Sequence, residues 1–207
     1  MQVLDKPAKQ ATEIRQAGLV EAALALAAQR SPASITTTDL ATAVGITQGG
    51  VFRHFASKEA IWLAVMDWVT TTLMDRLNHA ARQNRLAPML ALQGVFMAHV
   101  DFVIAYPGVP RVIFQELQSP DDTALKAGVR RLMQHYRQLL MGLLTQAQAD
   151  GTLPRQLDLS AAAVLFIGSI QGLVMQSLIS GHVAGMAQLA PGVYAIFQRG
   201  LQADSLS

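Results

Sequence analysis

The sequence predicts an all-α protein of about nine helices, and three observations lead there. Apolar residues recur at three- and four-residue steps through most of the chain. No stretch shows a sustained apolar/polar alternation bounded by turn dipeptides, the pattern of half-buried strands. Proline, glycine and small polar residues fall at intervals that start and stop helices. At 207 residues the chain suits one or two domains and can bury a core without covalent staples.

Each element has a local reason. Pro7 to Arg30 reads as the first helix: Pro7 suits its opening turn, and Ile14, Leu19, Ala22, Ala23 and Leu26 lie at helical spacing. Ser31-Pro32-Ala33-Ser34 breaks it. Thr36, with Asp39 three residues later, opens a short helix as a capping box with Asp in place of Glu; Leu40, Ala41 and Val44 form its apolar side. Gly45 is placed as a left-handed C′ residue and Ile46 as its hydrophobic C″ partner, so this helix stops after Val44. Thr47 caps the next, from Thr47 to Phe55, and Ser57 caps a long one from Lys58 to about Asn84. Pro88 to Tyr106 follows, ended by Pro107-Gly108, and Val109 to Leu117 is short. Ser119-Pro120-Asp121-Asp122 reads as a cap, a first-position proline and two carboxylates at the positive end of a helix lasting to about Ala149. Leu159 to Ser180 and Gln188 to Gln202 complete the set.

Composition narrows the function. The absence of cysteine excludes disulfide frameworks, thiol catalysis and Cys-based metal sites. There is no P-loop, no G-x-S-x-G, no G-x-G-x-x-G and no H-E-x-x-H, so no enzyme and no cofactor is expected. Histidines 54, 79, 99, 135 and 182 lack metal-ligand spacing, and helix initiation explains Asp121-Asp122, the only adjacent acidic pair. Sixteen Lys/Arg against fourteen Asp/Glu leave +2, no general polyanion-binding balance. The opening Met1-Gln2-Val3-Leu4-Asp5-Lys6-Pro7 has no apolar stretch for a signal peptide, so a cytoplasmic setting is expected. Charged residues make up 14%, against roughly 25% in ordinary globular chains. A soluble chain this apolar is expected to hide surface by pairing with a second copy of itself.

One segment carries most of the information. Two short helices joined by a tight turn containing Gly define a helix-turn-helix. In its second member Val51 and Phe55, four apart, are expected to dock against Leu40, Val44 and Ile46. Gln48, Gly49, Gly50 and Arg53 fall on the other side, near the end that enters a major groove. Gln offers a bidentate amide to adenine, Arg a fork to guanine, and two glycines let backbone approach DNA closely. Between Leu40 and Lys58 no residue is acidic, while Arg53, Lys58 and His54 supply local positive charge for phosphates. The amides opening the Ser57-capped helix add an anion site beside Lys58. Two helical glycines cost roughly 1 kcal/mol each against Ala, which close approach to another surface accounts for.

These residues resemble a known family. Leu19-Val20-Glu21-Ala22-Ala23 with Leu26, then Thr36-Thr37-Thr38-Asp39-Leu40-Ala41, then the run from Val44 through Gly45-Ile46-Thr47-Gln48-Gly49-Gly50-Val51-Phe52-Arg53-His54-Phe55-Ala56-Ser57-Lys58 to Ile61 are similar to the DNA-binding domain of TetR-family transcriptional regulators. The likeness covers roughly residues 10 to 64. It implies a three-helix reading head on an all-helical ligand-binding body, working as a homodimer on palindromic operators. It implies base contacts from Gln48, Gly49, Gly50 and Arg53, phosphate contacts from Phe52, His54 and Lys58, and support from Thr37, Thr38 and Thr47. Two departures stand out. Phe52 replaces the Tyr often found there, losing a hydroxyl–phosphate bond, and Ser31-Pro32-Ala33-Ser34 replaces the usual Gly and aromatic.

Leu159 to Ser180 carries no charge across twenty-two residues, long enough to be mistaken for a membrane span. Ser160, Ser169, Gln171, Gln176, Ser177 and Ser180 argue against that, because each needs a partner in lipid. Gly168 and Gly172, four apart, flatten one face so that a neighbouring backbone can approach. With Leu189, Val193, Ile196, Phe197 and Leu201 of the last helix on one side, a four-helix bundle with the twin subunit is expected. Its interface residues would be Phe166, Gly168, Gly172, Met175, Val193 and Phe197. This agrees with the family, which dimerises through its last two long helices.

Between residues 62 and 145, aromatic and methionine side chains interleave with polar ones, as in an adaptable apolar cavity. Met66, Phe96, His99, Phe102, Val103, Tyr106, Phe114, Met133 and Tyr136 are the candidate lining. The resemblance implies a small inducer there. The whole therefore reads as a helix-turn-helix domain over 1–56 and a ligand-binding and dimerisation domain over 57–207. The partners expected are a double-stranded DNA operator, a second copy of the chain and a small apolar or amphipathic effector, with no membrane. An activator using the same head, or a membrane-associated protein built on residues 159–180, are the alternatives.

Overall fold

A computed structural model of the chain describes residues 6–202, with side chains from residue 12 onward. The segment Met1 to Asp5, part of the signal-peptide argument, lies outside the described residues. The described chain is all helical: α1 (Lys6–Gln29), α2 (Thr37–Ala43), α3 (Gln48–Phe52), α4 (Lys58–Gln83), α5 (Pro88–Ala105), α6 (Gly108–Gln118), α7 (Ala124–Ala149), α8 (Leu159–Ser180) and α9 (Met186–Gln202). It forms two compact units that do not follow chain order. The first takes in residues up to Thr70 together with Tyr106–Val129; the second takes in Thr71–Ala105 and the chain from Arg130 on. The expected boundary at 56–57 falls inside the first unit.

In the first unit the head is built from local signals. The capping box closes α2: the Thr36 hydroxyl accepts from the Asp39 amide at 3.1 Å, and the Asp39 carboxylate accepts from the Thr36 amide at 2.7 Å. Gly45 takes φ +70°, the Ile46 amide donates to the Ala41 carbonyl at 3.0 Å and the Gly45 amide to that of Thr42 at 3.2 Å. That is the paired pattern of a Schellman stop. Thr47 caps α3 through the Gly50 amide and Ser57 caps α4 through the Ala60 amide, each at 3.1 Å. Behind the head, α6 starts against α1 so closely that a Cβ on Gly108 would lie 2.2 Å from the Leu24 carbonyl oxygen.

In the second unit, α5, α8 and α9 pack together over an aromatic cluster. Phe166 stands edge-on to Phe96 at 5.3 Å and to Phe197 at 5.4 Å, and the Tyr194 hydroxyl donates to the Met89 carbonyl at 2.8 Å. Two helices, Pro88–Ala105 and Leu159–Ser180, are long and apolar enough to cross a membrane by composition, with mean hydropathies of 1.5 and 1.8.

Four expectations need correction. The helix after Ser119 begins instead at Ala124, capped by the Thr123 hydroxyl, which accepts from the Lys126 amide at 3.0 Å. Ser119 is already used to close α6, its amide donating to the Glu116 carbonyl. The last helix starts two residues early, at Met186, after a 3-10 turn over Val183–Gly185. Ile14, expected among the buried positions of α1, is exposed, and Leu19, Val20, Ala23, Leu24 and Ala27 are buried. In α9, Leu189 and Ile196 point outward, whereas Phe197 and Leu201 point inward, so they do not share a side.

Candidate nucleic-acid interface

The interface is assembled on α2 and α3. The second helix is shorter than the expected Thr47–Phe55: regular helix covers Gln48–Phe52, and the chain then tightens, His54 and Phe55 both donating to the Val51 carbonyl. Its inner side is nevertheless as expected, with Val51 and Leu40 fully buried and Phe55 at 9% exposure. Val44 and Ile46 are half-buried beside them. Gln48, Gly49 and Arg53 are exposed, and Gly50 is half-buried. An aromatic ring, Phe52, is 48% exposed on the same short helix.

The exposed side is tied together by contacts that no sequence pattern announces. The Gln48 side-chain amide donates to the Thr37 hydroxyl at 2.9 Å, coupling the two helices through their outward residues. The Thr42 hydroxyl donates to the Thr38 carbonyl at 2.9 Å, and Thr38 and Thr47 are exposed. The Gln16 amide, on α1, donates to the His54 carbonyl at 2.9 Å, holding the turn after α3. The His54 Nδ1 is buried without a hydrogen-bond partner. Lys58 donates from Nζ to the Ala33 carbonyl at 3.2 Å, so its ammonium is positioned near the start of α4.

Charge is arranged locally. Asp39, on α2, pairs with Arg30 at 2.8 Å. That guanidinium, with bonds from Thr36, holds the Asp39 carboxyl far below its ordinary range. With Asp39 compensated, the exposed Arg53, which has no ion-pair partner among the described residues, sets the sign of the exposed side.

Comparison with known proteins decides the family. A family model described as bacterial regulatory proteins, tetR family, matches residues 19–65, and a second, a tetracyclin repressor-like C-terminal domain, matches residues 116–192. The chain belongs to the TetR family of bacterial transcriptional regulators. Among relatives, nucleoid occlusion factor SlmA of Glaesserella parasuis is 28% identical over 69% of this chain and 70% of its own length. A probable acrEF/envCD operon repressor of Escherichia coli K12 is 22% identical, covering 84% and 81%. Among solved structures, FadR from Bacillus subtilis in complex with stearoyl-CoA covers 89% of this chain and 98% of that one, at TM-score 0.78 and 18% identity. SmeT, the repressor of a Stenotrophomonas maltophilia multidrug efflux pump, covers 93% and 92% at TM-score 0.72 and 17% identity. These show the same fold.

In this TetR-family chain the candidate effector residues divide between the two units. Met66, Tyr106 and Phe114 belong to the first; Met66 is buried, and Tyr106 meets Trp68 edge-on at 4.9 Å. Phe96, His99, Phe102, Val103, Met133 and Tyr136 belong to the second, where His99 Nδ1 and the Tyr136 hydroxyl lie 3.1 Å apart. Each unit also has an open cleft, one of about 680 Å³ beside Arg76, His79 and Asp101 and one of about 330 Å³ beside Lys58, Trp62 and Gln115. Neither is lined by any of the nine candidates. Of the candidate interface residues, Gly168, Gly172 and Met175 are exposed and Val193 is half-buried. Phe166 and Phe197, at 0% and 3% exposure, are core of their own unit and cannot meet a partner. Val164, Leu165 and Ile179 on α8 are outward residues outside the expected interface set, and Leu189 and Ile196, expected on the bundle side of α9, are outward as well.

Proposed function

We propose that the chain is a cytoplasmic, non-enzymatic, ligand-responsive repressor that binds a twofold-symmetric operator as a homodimer. The observation that carries this is the division of α3: Val51 and Phe55 anchor it from behind, while Gln48, Gly49 and Arg53 are exposed in front. Gln48 and Arg53 are the base readers, and Thr37, Thr38, Thr47, Phe52, His54 and Lys58 position the backbone. The glycines support this, because a Cβ on Gly49 meets nothing within 4 Å and one on Gly50 only ordinary contacts. Nothing among the described residues therefore demands glycine at either place.

The dimer is supported by the exposed apolar stripe of α8, where Val164 is 62% and Ile179 72% accessible in a single subunit. A patch of that kind marks an interaction surface. The twofold axis then sets half-sites about one helical turn apart, roughly 34–36 Å, or a multiple. Repression is supported by the likeness to the two repressors above, and an amphipathic effector by the stearoyl-CoA named with FadR. An effector that binds better to a conformation with misplaced heads lowers operator affinity by that difference.

Gel shift on the DNA upstream of the chain's own coding sequence tests the proposal. The unmodified protein shifts a twofold-symmetric site at low salt; Gln48→Ala and Arg53→Ala each weaken that shift by about 10-fold or more, as loss of one bidentate base contact predicts. No shift, or both variants matching the unmodified protein, refutes the base-reading roles.

A further inference from the structure

On α5 the exposed residues Leu90, Gln93, Asp101 and Ala105 gather on one side at 100° per residue. His99 lies diametrically opposite, on the side of Leu92, Val95 and Val103. Those three are buried, at 0%, 0% and 4% exposure, yet His99 among them is only half-buried. His99 thus keeps some accessible surface on the inward side of the helix, where its neighbours keep almost none.

The bond to Tyr136 decides which nitrogen is left to that surface. Tyr136 is fully buried, and burial keeps its hydroxyl protonated, pushing its pKa well above the ordinary value. Its O–H has no acceptor among the described residues except His99 Nδ1, 3.1 Å away. A buried hydroxyl left undonated is costly, so Tyr136 donates and Nδ1 accepts. The ring is neutral, because burial lowers its pKa to about 4. The proton then sits on Nε2, which has no hydrogen-bond partner among the described residues.

We propose that the Nε2–H of His99 reads the effector, and that the effector is a neutral, largely apolar molecule presenting one carbonyl oxygen, a ketone or an ester. This rests on the reading of the chain as an effector-responsive regulator. The inward side of α5 itself carries no Lys or Arg, and the Arg76 guanidinium, 5.5 Å from the Phe102 ring centroid, is held over that aromatic face. Phe96 and Phe102, both fully buried, flank that side with apolar surface. Tyr136 is the positioning residue that fixes the tautomer; His99 is the one that touches ligand.

Two neutral fluorophores of the same shape test it: 6-propionyl-2-dimethylaminonaphthalene and its 6-propyl counterpart, which lacks the carbonyl. The unmodified protein binds the ketone about 10-fold tighter than the hydrocarbon, the worth of one hydrogen bond. His99→Phe removes that preference, so that the two probes bind alike, whereas Tyr136→Phe, which frees the tautomer, reduces it part-way. Equal binding of both probes, no binding of either, or a preference that survives His99→Phe overturns the proposal. Nitrogen-15 spectra of histidine-labelled unmodified protein supply a measurement free of folding defects in variants. They show His99 as the Nε2–H tautomer at pH 7, and the Nδ1–H tautomer overturns the assignment. Gel shift on the same preparations separates the two readings. Intact operator binding with failed probe discrimination removes only the effector chemistry, and lost operator binding removes the regulator reading.

Discussion

A methyl group added at Gly49 meets no atom within 4 Å, and the residue has ordinary helical φ, so folding alone has no use for glycine there. Ala is the better helix former by roughly 1 kcal/mol. Gly49→Ala therefore raises stability, by up to about 1 kcal/mol in urea unfolding. If the head lies against duplex DNA, the same methyl occupies space the DNA needs, and operator affinity falls about 10-fold, the equivalent of roughly 1.4 kcal/mol of steric cost. A protein that gains stability and keeps its affinity contradicts close approach at this residue. Phe52 and Asp39 sharpen the residue-scale picture. Phe52 spends 48% exposure on an aromatic ring with no polar atom to offer a phosphate, which suits apolar contact with sugar or a thymine methyl. Asp39, next to the reading surface, stays ionised but compensated by Arg30 at 2.8 Å, so it organises α2 without opposing DNA.

At the scale of elements, the signals that were legible are those whose partners lie within five residues. The Thr36–Asp39 box, the Gly45 stop and the Thr47 and Ser57 caps all appear where local chemistry puts them. The start of α7 was misplaced because Ser119 serves the helix before it, a competition invisible to a window read forwards. Gly168, Gly172 and Met175 are legible as outward, but Val164, Leu165 and Ile179 are not, for a different reason: a helix apolar on every side has spacing but no contrast, so Phe166 and Leu165, adjacent in sequence, cannot be told apart as core and surface. The Gln48–Thr37 bond spans eleven residues and has no local trace at all. Gly108 illustrates the remaining kind, a glycine read as a breaker that is in fact a contact. Its Cβ position lies 2.2 Å from the Leu24 carbonyl and 3.0 Å from the Ala28 amide nitrogen, both rigid backbone of α1. Gly108→Ala must push α6 off α1. It is expected to cost about 1–3 kcal/mol, the range of core overpacking. The urea midpoint measures it, and an unchanged midpoint would mean that α6 does not bear on α1 this closely.

For the whole molecule, the surface on which the proposed homodimer rests is the face of α8 that a single subunit leaves in water. Val164, Leu165, Met175 and Ile179 are 46–72% exposed there, and between them a Cβ at Gly168 or Gly172 meets nothing. Within one chain those glycines are therefore idle, and each weakens its helix by roughly 1 kcal/mol relative to Ala. Both facts acquire a reason if a second backbone lies in the flattened groove. Gly172→Leu separates the alternatives, since its side chain has free room in the subunit and none in a close pair. Sedimentation is expected to show the unmodified protein as a dimer at micromolar concentration and Gly172→Leu as a monomer or a dimer at least 10-fold weaker, with subunit unfolding undiminished. The consequence for DNA follows from linkage. Two heads held on one twofold axis convert the second docking event into an intramolecular one, an advantage on the order of 10²–10⁴. The monomeric variant should thus keep weak, salt-sensitive binding to any duplex while losing its preference for the symmetric site. A monomeric unmodified protein, or a Gly172→Leu dimer of full strength, removes α8 as the source of that symmetry.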